Sequence, residues 1–233
     1  YIAEDDFFTL PAIKLAGFPD VRVVPGHELI EAISECYDKV GMDDTIVVCR
    51  SNKRANLYNK GIRNSILYRE EELETGDWLM VAKNNYFWTE GNKDVDFIAN
   101  GDIAVVRRVR REREMYGFRF ADVTLSLIDY DDCEIDVKIM LDTLVSESPS
   151  LTKDESEKLF TAVWEDYPEI RSKRKRMEQV RNNPYYNAIQ VKYGYAVTCH
   201  KAQGGQWRTV FVDRCLFGDE PMSKDMLRWL YTA

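Results

Sequence analysis

The sequence contains no C-x-x-C pair, and its five cysteines (Cys36, Cys49, Cys133, Cys199, Cys215) are scattered along the chain. That spacing argues against a zinc site and a disulfide framework, and it fits a reducing cytoplasm. No apolar run is long enough to span a membrane, and no signal peptide is visible. The pattern G-x-x-x-x-G-K-[ST] is missing, so no loop of that kind cradles phosphates. No acidic run closes a strand as a Mg2+ ligand, and no internal repeat or low-complexity tract occurs. An excess of basic charge is also lacking: 32 Lys+Arg stand against 40 Asp+Glu, a formal net charge of -8. This argues against a protein that coats duplex DNA, but leaves room for a local basic groove. The sequence starts at Tyr1 and stops at Ala233 directly after an apolar stretch. Both ends read as cut, so the expectation is a piece of a longer protein.

Of the 233 residues, 45% are hydrophobic, enough for one large or two small folded domains. Val21–Val24 reads as a short buried strand before the Pro25-Gly26 turn. Leu29, Ile30, Ile33, Cys36, Tyr37 and Val40 then recur at helical spacing, and Gly41 sits where a C-terminal cap belongs. Thr45–Cys49 is a β-branched apolar run, the pattern of a strand buried on both faces. A polar turn, Arg50-Ser51-Asn52, leads to a second helix ending near Ile66. Strand and helix alternating in this way begin a parallel α/β layer.

From Gly76 the texture changes. Trp78–Val81, Ile103–Val109, Phe118–Ile128 and Glu134–Ile139 read as short strands, with Asn100-Gly101-Asp102 a tight turn and Asp129–Asp132 a hairpin. They suggest a small β-barrel. Thr152-x-x-Glu155 is a capping box opening a helix to about Trp164. A charged helix from Glu169 to about Arg181 stops before Asn183-Pro184. Buried-strand texture returns at Ile189–Val197, Thr209–Val212 and Trp229–Tyr231. The predicted division is residues 1–73 and 187–233 as two parts of one α/β domain, with 74–186 an inserted barrel carrying a helical excursion.

The stretch Tyr195–Val212, YAVTCHKAQGGQWRTVFV, is the most informative. A strand is expected to deliver Thr198, Cys199, His200 and Lys201 to its C-terminal edge, where open α/β sheets bind ligands. Gln203-Gly204-Gly205-Gln206 follows, and glycines there let the backbone approach a phosphate or a base.

This run resembles motif V of superfamily 1 helicases in its RecD-like form, T-x-H-x-x-Q-G-x-E-[FW], through Thr198, His200, Gln203, Gly204, Gln206 and Trp207. Gln206 stands where the family usually has Glu. Val47–Asn56 resembles motif IV through Arg50. GDWLMVAKNNYF and DFIANGDIAVV resemble the pattern that opens the small barrel inserted in the second RecA-like domain, with Ala104 in place of its last Gly. LRWLYTA resembles the front of motif VI. The resemblance implies a RecA-like parallel sheet of the P-loop NTPase class, the second motor domain of an ATP-dependent DNA helicase. It implies that Arg50, Gly204 and Gln206 face nucleotide. Thr198 and His200 would face single-stranded DNA, with Gln203 placed beside them and Lys201 open between the two. ATP and Mg2+ are the cofactors implied for the intact protein. The partners are single-stranded DNA and an N-terminal RecA-like domain of the same protein, with no membrane. This chain alone is expected to hold no catalytic or metal-binding residue.

Other readings stand beside this one. The barrel could serve as a non-catalytic nucleic-acid-binding module, or the α/β part as a degenerate RecA-like scaffold. His200 could be a core histidine. Arg107, Arg108, Arg110, Arg111 and Arg113 could track a phosphate backbone, but with Glu112 and Glu114 they equally suit a solvated edge strand. Arg171 and Lys173–Arg176 read as a DNA contact or a solvated helix face, and Tyr185-Tyr186 as a base stack or core. Cys199 beside His200 lacks the orienting group a Cys–His nucleophile needs.

Overall fold

The computed structural model describes residues 16–213 and 224–232. The chain divides into two compact units: residues up to Tyr68 together with those from Tyr195 onward, and Arg69–Gly194.

The first unit holds a parallel sheet. Helix α1 (Leu29–Val40) buries Ala32 and Ile33. It ends at Gly41, whose φ of 97° is a backbone conformation that a side chain disfavours; the Gly41 N–H donates to Tyr37 O at 3.1 Å. Strand β1 (Thr45–Cys49) is buried along its whole length, as its apolar run predicts. Ser51 then caps helix α2 (Asn52–Ser65), its Oγ accepting from the Arg54 N–H at 3.3 Å. In the sheet, β1 lies between β7 (Ala196–Thr198) and β8 (Thr209–Val212), both parallel to it. Among the described residues, no strand pairs with the outer side of β7. The buried Asn59 of α2 covers it there: Nδ2 donates to Ala196 O at 2.9 Å and Oδ1 accepts from Ala196 N–H at 2.8 Å.

Two predicted strands of this unit are not strands. Residues 21–24 pair with no strand among the described residues, and Val21 and Val23 are exposed. Without a neighbouring strand, a β-branched run has nowhere to bury a pleated face. Residues 229–231 lie inside helix α6 (Lys224–Thr232), with Trp229 and Leu230 half-buried and Tyr231 exposed. A short apolar run does not by its periodicity separate strand from helix.

The second unit is a closed barrel of β2 (Trp78–Val81), β3 (Ile103–Met115), β4 (Phe118–Leu127), β5 (Cys133–Met140) and β6 (Ile189–Tyr193). Every neighbouring pair is antiparallel except β5 and β6. A parallel pair needs a long crossover, and the helical excursion supplies it. Helix α3 (Lys153–Glu165) opens on the predicted Thr152–Glu155 capping box. Helix α4 (Lys173–Arg181) starts later than Glu169, because Ser172 takes the capping position. Leu159, Val163 and Val180 of these helices pack on Phe118, Phe120 and Met140, and Tyr185 joins the same core.

The barrel is also longer at both ends than residues 74–186. At its start, Asp77 accepts from Arg69 (2.5 Å) and from the Glu74 N–H (2.8 Å), and the Tyr193 hydroxyl donates to Glu72 O. At its end, the run Ile189–Val197 is two strands. Strand β6 closes the barrel on β2, and β7 joins the other sheet. Gly194 lies between them, its N–H donating to Trp78 O at 2.8 Å, and a Cβ there would sit 3.5 Å from the Trp78 and Leu79 backbone. The apolar texture is continuous, so only this glycine marks the change of sheet. In the basic stretch, β2 covers only Ile103–Val105; beyond it β3 pairs with β4 alone.

Candidate functional site

Parallel pairing brings three strand ends to one edge. Thr198 is the register partner of Cys49, and Val212 of Val48. The residues that follow them, Arg50, His200 and Asp213, therefore gather at the C-terminal edge, the ligand side of an open α/β sheet. Thr198 ends β7. Cys199 and His200 are not strand residues but the first turn of a four-residue helix, α5 (Cys199–Ala202). The Thr198 side chain makes no capping bond to it. This turn buries Cys199 and leaves His200 exposed, so His200 is not a core histidine. Burial also raises the Cys199 thiol above its ordinary pKa, which opposes a thiolate nucleophile there. Lys201 is half-buried, and burial lowers its ammonium pKa.

After α5 the chain forms a loop that needs both glycines. Gly204 has φ 87°, and a Cβ on it would meet open space, so its backbone faces outward unobstructed. At Gly205 a Cβ would lie 2.0 Å from the Trp207 ring, so the indole rests directly on the backbone. Gln203, Gly204, Gln206 and Trp207 line a pocket of about 490 Å3, with Val48 and Val210 of the sheet and Thr232 of α6. This volume lies within the usual range for small-molecule sites. The pocket thus joins Gly204 and Gln206, the two expected nucleotide contacts on this loop, with Gln203. Thr198, His200, Lys201 and Arg50 do not line it. Among the described residues, no group of three His, Cys, Asp or Glu could hold a metal ion.

One cluster at this edge escaped the sequence reading. The Arg54 guanidinium donates to both carboxylate oxygens of Asp213, Nε at 2.7 Å and Nη2 at 3.0 Å. It also bonds the Tyr58 hydroxyl at 3.2 Å and lies over that ring at 5.3 Å. Burial, then the Asp213 carboxylate, pushes the Tyr58 phenol up to about 12. The pair ties the start of α2 to the end of β8, and so fixes the turn that presents Arg50. Its sequence signal was the i, i+4 spacing of Arg54 and Tyr58; Asp213, 159 residues away, gave none. Arg50 itself is exposed and makes no hydrogen bond or ion pair among the described residues.

Residues 193–233, from the end of the barrel through α6, match the family model of the UvrD-like helicase C-terminal domain. This stretch is thus similar to the C-terminal region of UvrD-type superfamily 1 helicases. No curated protein matches the chain. Among the described residues, no helix is long and apolar enough to cross a membrane.

Proposed function

We propose that this chain supplies one wall of a nucleotide-driven motor that moves along single-stranded DNA, of the RecD-like kind. Its parallel unit is then a RecA-like second motor domain, and an N-terminal RecA-like domain of the same protein is the other wall. The observation that carries this reading is a set of side chains at one sheet edge with no hydrogen-bond or ion-pair partner among the described residues: Arg50, Thr198, His200 and Gln206. Thr198 is half-buried, while Arg50, His200 and Gln206 are exposed, so the set is open to a ligand from solvent. Thr198, His200 and Gln206 also fall within the helicase-matching segment.

Two faces of that edge divide the work. Gly204 offers an open backbone and Gln206 an amide on the pocket, which fits the phosphate and ribose of a nucleotide. Arg50, an exposed cation just past the adjacent strand end, would read developing phosphate charge. The nucleotide, when bound, supplies the phosphoanhydride whose cleavage drives movement. Mg2+ would be held by its phosphates and by the other wall. Thr198, His200 and Lys201 take the DNA side, with Gln203 at the junction of the two. A lysine whose burial favours the neutral form gains by sitting near a phosphodiester.

The test is steady-state ATP hydrolysis by the intact protein with saturating single-stranded DNA. Gln206→Ala should raise the Michaelis constant for ATP several-fold and leave DNA affinity unchanged, since a neutral hydrogen bond contributes about 1 kcal/mol. Thr198→Ala with His200→Ala should do the reverse. If Gln206→Ala weakens DNA binding at an unchanged constant for ATP, the division of the loop is wrong.

A further inference from the structure

We propose that the barrel unit carries its own subsite for an unpaired nucleobase, with the Tyr86 ring as its stacking platform. The inference rests on the reading that this protein handles single strands, but it lies on different residues. It starts from the long connection between β2 and β3, which is tightly held. Asn85 and Ile98 exchange both main-chain bonds at 2.9 Å. The buried Asn85 side chain accepts from the N–H groups of Phe87 (3.1 Å) and Trp88 (3.3 Å) and donates to Asn187 O at 2.8 Å. Asn84 Oδ1 accepts the Asn100 N–H at 2.7 Å. On this fixed loop Tyr86 is 64% exposed. Its ring is stacked on Phe97 with centroids 5.1 Å apart and planes 22° from parallel. Folding thus orders an aromatic side chain and then forgoes the gain of burying it.

The ring borders a pocket of about 240 Å3 that also takes in Phe87 and Tyr186. Tyr186 is 37% exposed and held edge-on against Phe160 at 6.1 Å. In a chain with 40 acidic residues, no carboxylate lines this pocket. Lys83 lines it, exposed and with no ion pair among the described residues. Gln190 spends its Oε1 on the Leu151 N–H at 2.9 Å, and its Nε2 donates to none of the described residues. An aromatic platform, an amide donor and one cation match a base ring, a base edge and a phosphate. A proline-rich peptide, the other ligand of aromatic grooves, would offer carbonyls to the amide donor but has no phosphate to meet the lysine.

The test measures binding of labelled oligo-dT to the full chain, beside a strand with abasic positions. Tyr86→Ala should weaken oligo-dT binding roughly 5- to 150-fold, the range for loss of one base–aromatic stack. It should leave the weaker abasic binding unchanged, and Tyr86→Phe should retain wild-type affinity. Because Tyr86 is exposed, its truncation empties no core, and an unchanged melting curve verifies the fold. Equal losses on both strands, no loss at all, or displacement of oligo-dT by a proline-rich peptide would overturn the subsite. Thr198→Ala with His200→Ala separates this from the motor reading. A Tyr86 effect persisting in that background, with no effect of the pair itself, sinks the sheet-edge DNA contact and keeps this one. The opposite result sinks only the subsite.

Discussion

At the C-terminal edge of the parallel sheet, the side chains of Arg50, Thr198, His200 and Gln206 make no hydrogen bond or ion pair among the described residues. In the barrel, several cations are engaged. Arg119 donates to Glu72 at 2.6 and 3.0 Å and to Asp142 at 3.0 Å. Lys138 pairs with Asp122 and lies over the Tyr185 ring at 4.4 Å. Arg176 donates to Trp164 O at 2.5 and 2.9 Å and covers that indole. The contrast sets residues that hold the fold beside residues that the proposed function assigns to a ligand. Within the barrel unit it also sets Tyr86 and Lys83, both exposed, apart from these engaged groups.

The largest expected effect tests whether the units are energetically distinct. Phe120 is fully buried against Met140 and the two helices, with Tyr185 edge-on at 5.1 Å. Phe120→Ala should cost about 3–5 kcal/mol. In native-state hydrogen exchange the loss should fall on the amides of β4 and β5, while those of β1 keep their protection. Uniform loss across both sheets would join the units into one cooperative block. A smaller effect is expected at Asn59. Replacing it by Ala leaves the buried N–H and C=O of Ala196 unmet, at about 2 kcal/mol. Faster exchange of the Ala196 amide, ahead of any change in the barrel, is the signature. An unchanged amide would mean that water substitutes for the side chain.

The same contrast explains what could be read from the sequence. Thr45–Cys49, the capping box and the hairpin at Asp129–Asp132 carry local chemistry, so they were legible. So was the loop at Gly204, where a left-handed φ demands glycine. Less was visible where partners are distant. The strand Ile189–Tyr193 reads like its continuation Ala196–Thr198, and only long-range pairing assigns them to different sheets. Asn59 on Ala196 and Arg54 on Asp213 join residues far apart in the chain. The helical turn at Cys199 was missed because four residues are too few to show a period.

The smallest effect concerns the basic run of β3, which was open between a phosphate track and a solvated edge. Three of its arginines are engaged, Arg113 by donating to the Tyr185 hydroxyl at 3.4 Å. Arg110 pairs with Asp136, and Arg107 lies 3.6 Å from Asp132 and 3.9 Å from Glu134. Arg108 and Arg111 make no side-chain hydrogen bond or ion pair among the described residues. The hydrogen bond from Arg110, followed by that from Thr124, lowers the Asp136 pKa. A carboxylate depressed in the folded state contributes stability above its unfolded pKa, about 3.9. That stability is lost as pH falls through the lower, folded value. Arg110→Gln should therefore lower Tm slightly at neutral pH, because both groups are solvated and exposed pairs contribute little. The difference from wild type should shrink below about pH 4 and vanish once Asp136 is protonated in both proteins. A difference that survives in acid would assign the effect to packing of the arginine stem instead. The same variant should leave oligo-dT affinity nearly unchanged, since its guanidinium is already neutralised. Arg108→Gln, which breaks no pair, is the matched control: a larger loss of affinity there, with a smaller salt dependence, would restore the phosphate track for the unpaired arginines alone.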